Sequence, residues 1–166
     1  MLIQQNVNGS DSFERSWAEF KVGFSDTRGN FWLGNDLLSQ LTLTGRYKLK
    51  FDLQSANSSW YYAQYSTFRV SNEASNYRLQ VAGYSGNAGY DAFSWHNNMM
   101  FSTYDRDNDL WSSGNCAADN GGGFWYNACF HCGVNTVRGY TFTFNGWKDL
   151  PGGPALQSSR MWLQCK

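Results

Sequence analysis

From Gly83 to its end, the chain has almost no regular hydrophobic period. Gly, Asn, Asp and Ser alternate there with aromatic residues, as in GYSGNAGYDAF, NGGGFWYNACFHCG and LPGGPALQSS. A stretch of this length with so little regular structure needs disulfides or a metal ion to hold it. The last third carries all the cysteines: Cys116, Cys129, Cys132 and Cys165. Two disulfides would place the protein in an oxidising compartment.

Within this part, the segment YDRDND carries carboxylates on alternate residues, Asp105, Asp107 and Asp109. Such charges repel one another unless a cation lies between them, and oxygen ligands without nearby His or Cys favour Ca²⁺. The EF-hand pattern fails, because the positions that need Gly and Glu are Leu110 and Cys116. A solvated polar turn is the alternative, since Asp and Asn favour turns. The residues alone leave both interpretations open.

The first half of the chain predicts two short helices. Asp11 and Glu14 have the spacing of a capping box, and aromatic residues follow at helical spacing, which predicts a helix over residues 12–20. Gly23 should end it. A second helix is expected to start at Asn35, whose side chain can cap it, and to bury three leucines. These are Leu37, Leu38 and Leu41.

From Gly45 the hydrophobic period changes to two. Apolar and polar residues alternate over 47–53, as expected of a half-buried strand, and strand-like character continues over 60–70 and 77–82. Turn residues separate these segments. The middle of the chain therefore predicts an antiparallel sheet.

Composition and charge predict one globular domain over residues 1–166. Hydrophobic residues make up 42% and aromatic residues 18%, enough for a sizeable core. The 13 basic and 13 acidic side chains balance without a basic run, which argues against nucleic acid and acidic membranes as partners. No apolar stretch is long enough for a membrane span, and polar residues follow Met1–Ile3 at once, so no signal peptide is expected either.

Two sequons, Asn8-Gly9-Ser10 and Asn57-Ser58-Ser59, agree with secretion. Such triplets also arise by chance in a chain rich in Asn and Ser. They carry little weight on the sequence alone.

Five segments, in this order, resemble the fibrinogen C-terminal (fibrinogen-related) domain family. They are VNGSDSFERSWAEFKVGF, GNFWLGNDLLSQLT, YKLKFDL, YRLQVAGYSGNAGYDAFSWHNNMMFSTYDRDND and GNCAADNGGGFWYNAC. The resemblance implies an α+β fold: a twisted antiparallel sheet with short helices over 1–85, then a loop-rich calcium- and ligand-binding lobe over 86–166. The family's N-terminal subdomain has no counterpart before Leu2. Its loss would expose sheet edge and apolar surface, which predicts a homo-oligomer.

The resemblance also assigns a calcium site and a disulfide. In the family, a D-x-D pair and two later backbone carbonyls hold Ca²⁺, which places the ligands on Asp107, Asp109, Trp111 and Ser113. Asp105 is then a supporting residue. The family's disulfide falls on Cys116 and Cys129, with a cis peptide at Ala128-Cys129.

In lectin-type members, such as ficolins and tachylectins, a pocket beside the calcium receives acetylated sugars. Such a pocket needs aromatic walls for the methyl group and backbone N–H groups for the carbonyl. Trp125 is expected mostly in the core. Phe130 stands where many members have histidine, which puts acetyl specificity in doubt. The candidate ligand-binding residues are Asp119, Asn120, Phe124, Tyr126, Cys129, Phe130, His131 and Tyr140.

Cys132 and Cys165 lie outside the family's usual pattern. We expect them to pair and to tie the pocket loop to the C-terminal strand RMWLQC. The alternative is a zinc site formed by the CFHC segment with Cys116 or Cys165, although a second tight cysteine pair is missing.

These observations predict a secreted, calcium-dependent lectin domain of innate recognition that binds acetylated sugars on microbial or host glycans. The alternative is a protein–protein interaction module that uses the same pocket. No catalytic residue is expected. By residue type, only His96 and His131 could serve as general bases near neutral pH, no nucleophile motif occurs, and His96 is interpreted as a scaffold residue.

Overall fold

The structure, a computed structural model, describes residues 1–9, 13–136 and 146–166. Within these residues, seven strands form one antiparallel sheet in the order β2-β3-β1-β7-β4-β5-β6. The strands are β1 (Leu2–Val7), β2 (Phe24–Ser25), β3 (Phe31–Trp32), β4 (Tyr47–Ser55), β5 (Trp60–Val70), β6 (Leu79–Gly86) and β7 (Leu156–Cys165). The helices are α1 (Trp17–Val22), α2 (Asn35–Thr42) and α3 (Cys116–Asn120), with short 3-10 helices at Glu73–Ser75 and Phe93–His96.

The predicted antiparallel sheet and the α+β class are confirmed. Alternate residues of β4, namely Leu49, Phe51 and Leu53, are fully buried, as the period of two indicates. β6 begins later than predicted, because Tyr77 has a left-handed backbone with φ of 50° and lies buried outside the strand.

Strand β7 returns from the end of the chain to the middle of the sheet. It pairs with β1 through Gln5↔Arg160 and with β4 through Phe51↔Met161. Residues 156–165 therefore belong to the sheet and not to the loop-rich lobe. The predicted boundary at residue 85 does not hold for this strand. Its buried residue Met161 completes the core face of the sheet.

Helix α1 starts later than predicted. Its N-cap is Ser16, whose Oγ accepts a hydrogen bond from Glu19 N, while Glu19 Oε2 accepts one from Ser16 N at 2.9 Å. This capping box begins the helix at Trp17, so the prediction from Asp11 and Glu14 was wrong, and Asp11 itself lies outside the described residues. Gly23, with φ of 93°, ends the helix as expected.

Helix α2 starts at Asn35 as predicted, but the Asn35 side chain does not cap it. Its Oδ1 accepts a hydrogen bond from Trp32 Nε1 at 3.0 Å, and Gly34 is the N-cap residue. Leu38 is buried, whereas Leu37 is 44% exposed and is not a core residue.

A core of aromatic side chains joins the sheet to the loop-rich part of the chain. The ring of Trp125 packs on Phe93, Phe101 and Phe124, and its Nε1 donates to the carbonyl of Tyr77 at 2.7 Å. All of these rings are fully buried. Loops with few strands are thus held by aromatic burial as well as by the disulfide.

Candidate functional site

The carboxylate of Asp109 organises the acidic segment. Its Oδ1 accepts a hydrogen bond from Trp111 N at 2.8 Å, and its Oδ2 accepts one from Cys116 N at 2.8 Å. The two bonds fold residues 109–116 around one side chain, so Asp109 is half-buried whereas Asp107 and Leu110 are exposed.

Asp107 lies next to this carboxylate. Its Oδ1 accepts a weak hydrogen bond from Asp109 N at 3.2 Å. Burial raises the pKa of Asp109, the negative charge of Asp107 raises it further, and the two backbone N–H donors oppose the shift. A cation beside the pair would relieve the repulsion that raises this pKa.

Asp105 does not join the pair. Its Oδ1 accepts hydrogen bonds from Thr103 Oγ1 at 2.7 Å and from the backbone N of Trp17 at 2.9 Å. Trp17 is the first residue of α1, so this carboxylate satisfies a free N–H at the start of that helix. Its contribution is to anchor the acidic segment to α1.

The donor set of the acidic segment fits Ca²⁺. In the part of the chain that the structure describes, no three His, Cys, Asp or Glu side chains group closely enough to hold a metal. Asp107 and Asp109 would therefore need backbone oxygens, and the carbonyls of Trp111 and Ser113 follow two and four residues after Asp109. Carboxylates and carbonyls are the ligands that Ca²⁺ prefers.

The turn after Asp109 is tightly packed. A Cβ on Gly114 would lie 2.4 Å from the ring of Trp111, so a larger residue at this position would displace that ring. The N–H of Gly114 donates to the carbonyl oxygen of Trp111 at 3.3 Å. These contacts fix the backbone that carries the two predicted carbonyl ligands.

The disulfide Cys116–Cys129 and the cis peptide Ala128-Cys129 are confirmed. Helix α3 begins inside the closed loop, because Asn115 Oδ1 accepts a hydrogen bond from Ala118 N at 2.9 Å. The N–H of Asn127 donates to the carbonyl of Cys129 at 2.7 Å. Hydrogen bonds therefore hold the backbone at both ends of the disulfide-closed loop.

The predicted aromatic walls are core residues instead. Phe124 and Tyr126 are fully buried, and the hydroxyl of Tyr126 donates to the carbonyl of Gly122 at 2.6 Å. Neither side chain can line an open pocket, which corrects the prediction for both. Phe130 is 9% exposed and packs on Tyr126, whereas Trp125 is in the core as expected. The backbone before these rings approaches its neighbours closely, since a Cβ on Gly122 would lie 2.0 Å from the carbonyl oxygen of Asn135.

The remaining predicted ligand residues differ from one another in their exposure and contacts. Asp119 is exposed on α3, but Asn120 Nδ2 donates to the carbonyl of Cys116 at 2.7 Å and helps to close the helix. The ring of His131 is half-buried, and Tyr140 lies outside the described residues.

His96 is a buried scaffold residue, as predicted. Its Nδ1 lies 2.8 Å from the carbonyl oxygen of Trp125, and its Nε2 accepts hydrogen bonds from the backbone N of His131 and of Cys132. Burial lowers the pKa of His96 to about 3, so the ring is neutral in the fold. One imidazole thus fixes the backbone on both sides of the Cys129 segment, a role that sequence reasoning missed.

An exposed apolar surface beside the disulfide loop was also missed. We call it the Trp95 face and define it as Tyr90, Trp95, Leu110, Asn127 and His131. Asn127 connects Leu110 with Trp95. Its carbonyl accepts a hydrogen bond from Leu110 N at 2.9 Å, and its Nδ2 donates one to the carbonyl of Trp95 at 3.2 Å. Trp95 is 44% exposed and stacks on His131 with centroids 4.1 Å apart. Aromatic residues within a polar segment were the available signal.

Cys132 and Cys165 do not pair, and this prediction was wrong. Cys132 is fully buried beside His96, and burial raises the pKa of its thiol well above the usual range. Cys165 is exposed at the end of β7, opposite Tyr47 of β4. The first thiol faces the interior and the second lies at the edge of the molecule.

A single antiparallel sheet, an acidic segment and the disulfide-closed loop that follows it together define a class of domain. The family described as the C-terminal globular domain of fibrinogen beta and gamma chains matches residues 1–153. The chain therefore belongs to the fibrinogen C-terminal domain family.

Similar proteins and solved structures support this family assignment. The chain is 38% identical to fibrinogen-like protein A of Apostichopus parvimensis, over 91% of this chain and 55% of that protein. It is 42% identical to human angiopoietin-related protein 2, over 77% and 26%. The fibrinogen-like globe domain of human ANGPTL2 has a TM-score of 0.88 at 38% identity, over 99% of this chain and 79% of that chain.

A second solved structure is a complex with a peptide ligand. Lamprey fibrin D-dimer, complexed with the peptide Gly-His-Arg-Pro-amide, has a TM-score of 0.83 at 30% identity, over 98% of this chain and 60% of that chain. The chain thus spans about half the length of one curated relative, 55%, and about a quarter of another, 26%. Among the described residues, no helix is long and apolar enough to cross a membrane.

Proposed function

We propose that this domain is an extracellular, calcium-dependent protein-binding module whose ligand surface is the Trp95 face and the adjoining acidic segment. The observation that carries the proposal is the exposure of Trp95 and Leu110, 44% and 59%, on a backbone fixed by Asn127 and His96. Large apolar side chains exposed together on a rigid surface are typical of sites that bind proteins. The disulfide supports an oxidising, extracellular location.

The rigidity of this surface supports binding with little loss of entropy. The ring of Trp95 is stacked on His131, and the backbone N of His131 is hydrogen-bonded to the buried His96. A side chain that is already held in place loses less conformational freedom when a partner covers it. The Trp95 face is thus prepared for contact before the ligand arrives.

Charge beside the apolar surface favours a basic partner. Asp119 is exposed on α3, in the same disulfide-closed loop as Asn127, and it is not one of the residues proposed to hold calcium. The lamprey peptide contains His and Arg, and its complex is the observation that favours peptide ligands for this kind of domain. The angiopoietin-related relatives agree with a protein-interaction module better than with a lectin.

Calcium would act on the shape of the surface and not on the ligand. The ion would be held beside Leu110 by the carboxylates of Asp107 and Asp109 and by the carbonyls of Trp111 and Ser113. Bound there, Ca²⁺ supplies positive charge between two carboxylates and removes their repulsion. The segment that presents Leu110 then keeps one conformation, which raises affinity through preorganisation.

Acetylated glycans are the second candidate ligand, on the family resemblance alone. The aromatic walls expected for a sugar pocket are not available, because Phe124 and Tyr126 are buried. The peptide proposal therefore has the stronger support from the exposed residues.

The proposal is tested with a panel of short basic peptides, beginning with Gly-His-Arg-Pro-amide, beside a panel of N-acetylated sugars. Leu110→Asp should reduce peptide affinity about tenfold or more, which is ~1.4 kcal/mol. Leu43→Asp is the matched control, because both leucines are 59% exposed and Leu43 lies at the end of α2. Chelation of calcium should weaken binding by the wild-type domain.

Equal loss of peptide binding in both variants would overturn the assignment of the surface. Binding of acetylated sugars without any peptide would overturn the choice of ligand class and favour the lectin candidate. Unchanged peptide affinity after chelation would remove calcium from the mechanism.

A further inference from the structure

The turn between β4 and β5 is an exposed hairpin tip that carries the sequon Asn57-Ser58-Ser59. Residues 56–60 are all exposed, and Gln54↔Trp60 is the last strand pair before the turn. The N–H of Ser55 donates to the carbonyl of Ser59 at 3.0 Å. The tip is thus held by the strands below it while its own side chains face solvent.

The side-chain amide of Asn57 is hydrogen-bonded through its oxygen. Its Oδ1 accepts hydrogen bonds from the backbone N of Ser59, at 3.0 Å, and from Ser55 Oγ. This is an Asx turn, in which the side chain mimics a backbone carbonyl. Within the described part of the chain, Asn57 Nδ2 makes no hydrogen bond, so the nitrogen that would be modified is the free end of the amide.

We propose that Asn57 is an N-glycosylation site. In the reaction, Asn57 Nδ2 forms a bond to the anomeric carbon of an oligosaccharide carried by a lipid diphosphate donor. The bond from that carbon to the diphosphate oxygen breaks, the lipid diphosphate leaves, and the amide nitrogen gives up one proton. The sequence requirement is the hydroxyl of residue 59, which lies exposed in the same turn.

The sequon at Asn8 is described only in part. Ser158 Oγ accepts a hydrogen bond from the backbone N of Asn8 and donates one to Asn8 Oδ1 at 3.4 Å. The third residue of that sequon, Ser10, lies outside the described residues. The inference therefore concerns Asn57 alone, and Asn8 supplies a control.

A glycan on Asn57 would leave the contacts of the candidate binding surface unchanged. The hairpin tip packs on Gly152, bonds to Ala155 through the N of Ala56, and meets Gln157 through Ser58. In the described residues, none of these contacts involves the Trp95 face or the acidic segment. The inference rests on the extracellular location proposed above, but not on the proposed ligand.

The test is secretion of the full chain, behind a signal sequence, from a eukaryotic cell line with N-glycosylation. Peptide N-glycosidase in ¹⁸O-water should convert Asn57 to ¹⁸O-labelled Asp, located by peptide mass mapping. Ser59→Ala removes the sequon but keeps the backbone N–H that closes the turn, so it should abolish the label at position 57. Ser58→Ala and Asn8→Gln leave this sequon intact and should keep the label.

A secreted wild-type protein with Asn57 unmodified would overturn the inference, as would a label that survives Ser59→Ala. Folding of each variant is checked by the Cys116–Cys129 disulfide and by its melting temperature. Because the readout is a mass at one residue, failure here is distinct from failure of peptide binding at the Trp95 face.

Discussion

The carboxylate of Asp109 accepts a hydrogen bond from the backbone N of Cys116 at 2.8 Å, which joins the acidic segment to the disulfide loop. The same carboxylate holds Trp111 N. A change at the acidic pair should therefore reach the loop that carries α3 and the cis peptide. This relationship is the physical basis for linking calcium to the binding surface.

Calcium should raise the melting temperature of the domain. A ligand at about 100 times its Kd stabilises by about 2.7 kcal/mol, which for a domain of this size is a shift of roughly 5–10 °C. Asp107→Asn should lose this shift but keep the fold, because Asp107 accepts only one weak hydrogen bond, from Asp109 N. Thermal unfolding of the wild-type domain and of Asp107→Asn, each with calcium and with a chelator, measures the two shifts.

Asp149→Asn is the control for that experiment. Asp149 has φ of 55°, a conformation that Asn tolerates well, so the substitution removes one negative charge without strain. A calcium shift lost equally in both variants would show that net charge matters and that the acidic pair does not.

Acid should destabilise the fold through His96. Burial lowers the pKa of His96 from 6.5 to about 3 in the folded state, so on acidification the unfolded chain binds this proton first. The stability that the neutral ring contributes is complete above pH 6.5 and is lost as the pH falls towards 3, by ~1.4 kcal/mol per pH unit. Urea unfolding from neutral pH down to about pH 4 measures the slope.

His96→Gln should be less stable at neutral pH but should lose most of this slope. Gln can accept a hydrogen bond from Cys132 N, while the bond to the carbonyl of Trp125 is lost, at a cost of about 1–3 kcal/mol. His131→Gln is the comparison, because partial burial also lowers the pKa of His131. A slope that disappears only in His131→Gln would contradict the assignment to His96.

Removal of the disulfide should cost about 3 kcal/mol. Cys116 and Cys129 are 13 residues apart, and in the chain-entropy model a loop of this size restricts the unfolded state by that amount. The double variant Cys116→Ala with Cys129→Ala is compared with Cys165→Ala, which replaces an exposed free thiol. Urea unfolding of both should show a large loss in the first and almost none in the second. Equal losses would contradict the prediction.

Gly122→Ala should destabilise the junction between the disulfide loop and the sheet by about 1–3 kcal/mol or more. A Cβ at this position would lie 2.0 Å from the carbonyl oxygen of Asn135, which is backbone and cannot move alone. Gly9→Ala is the control, because no atom of the described residues, apart from its chain neighbours, lies within 4 Å of its Cβ position, while its φ of 59° opposes the change. That control should cost about 1 kcal/mol. A loss no larger than that in Gly122→Ala would show that the contact relaxes.

The sequence predicted best where burial follows a simple period. The strand over β4 could be read from alternation at Leu49, Phe51 and Leu53, and the family's motifs located the acidic segment and its disulfide. Phe124 and Tyr126 could not be placed in this way, because an aromatic residue after several glycines can turn toward either side. The orientation was decided by long-range contacts, such as the bond from Tyr126 to Gly122 and the packing on Trp125.

The same reason explains the other corrections. Ser16 with Glu19 and Asp11 with Glu14 both have capping-box spacing, so the local pattern offers two helix starts, and the contact of Trp17 N with Asp105, which is distant in sequence, favours the start at Trp17. The roles of His96 and Asn127 depend on backbone groups of other loops. No local pattern of residues contains that information.

The insertion of β7 between β1 and β4 sets an order of events during synthesis. Until the ribosome has released residues 156–165, β1 and β4 have no shared neighbour, and the core face that Met161 covers stays open to water. The nascent domain must then wait with exposed apolar surface for its last strand, a state in which chaperones bind and neighbouring chains aggregate.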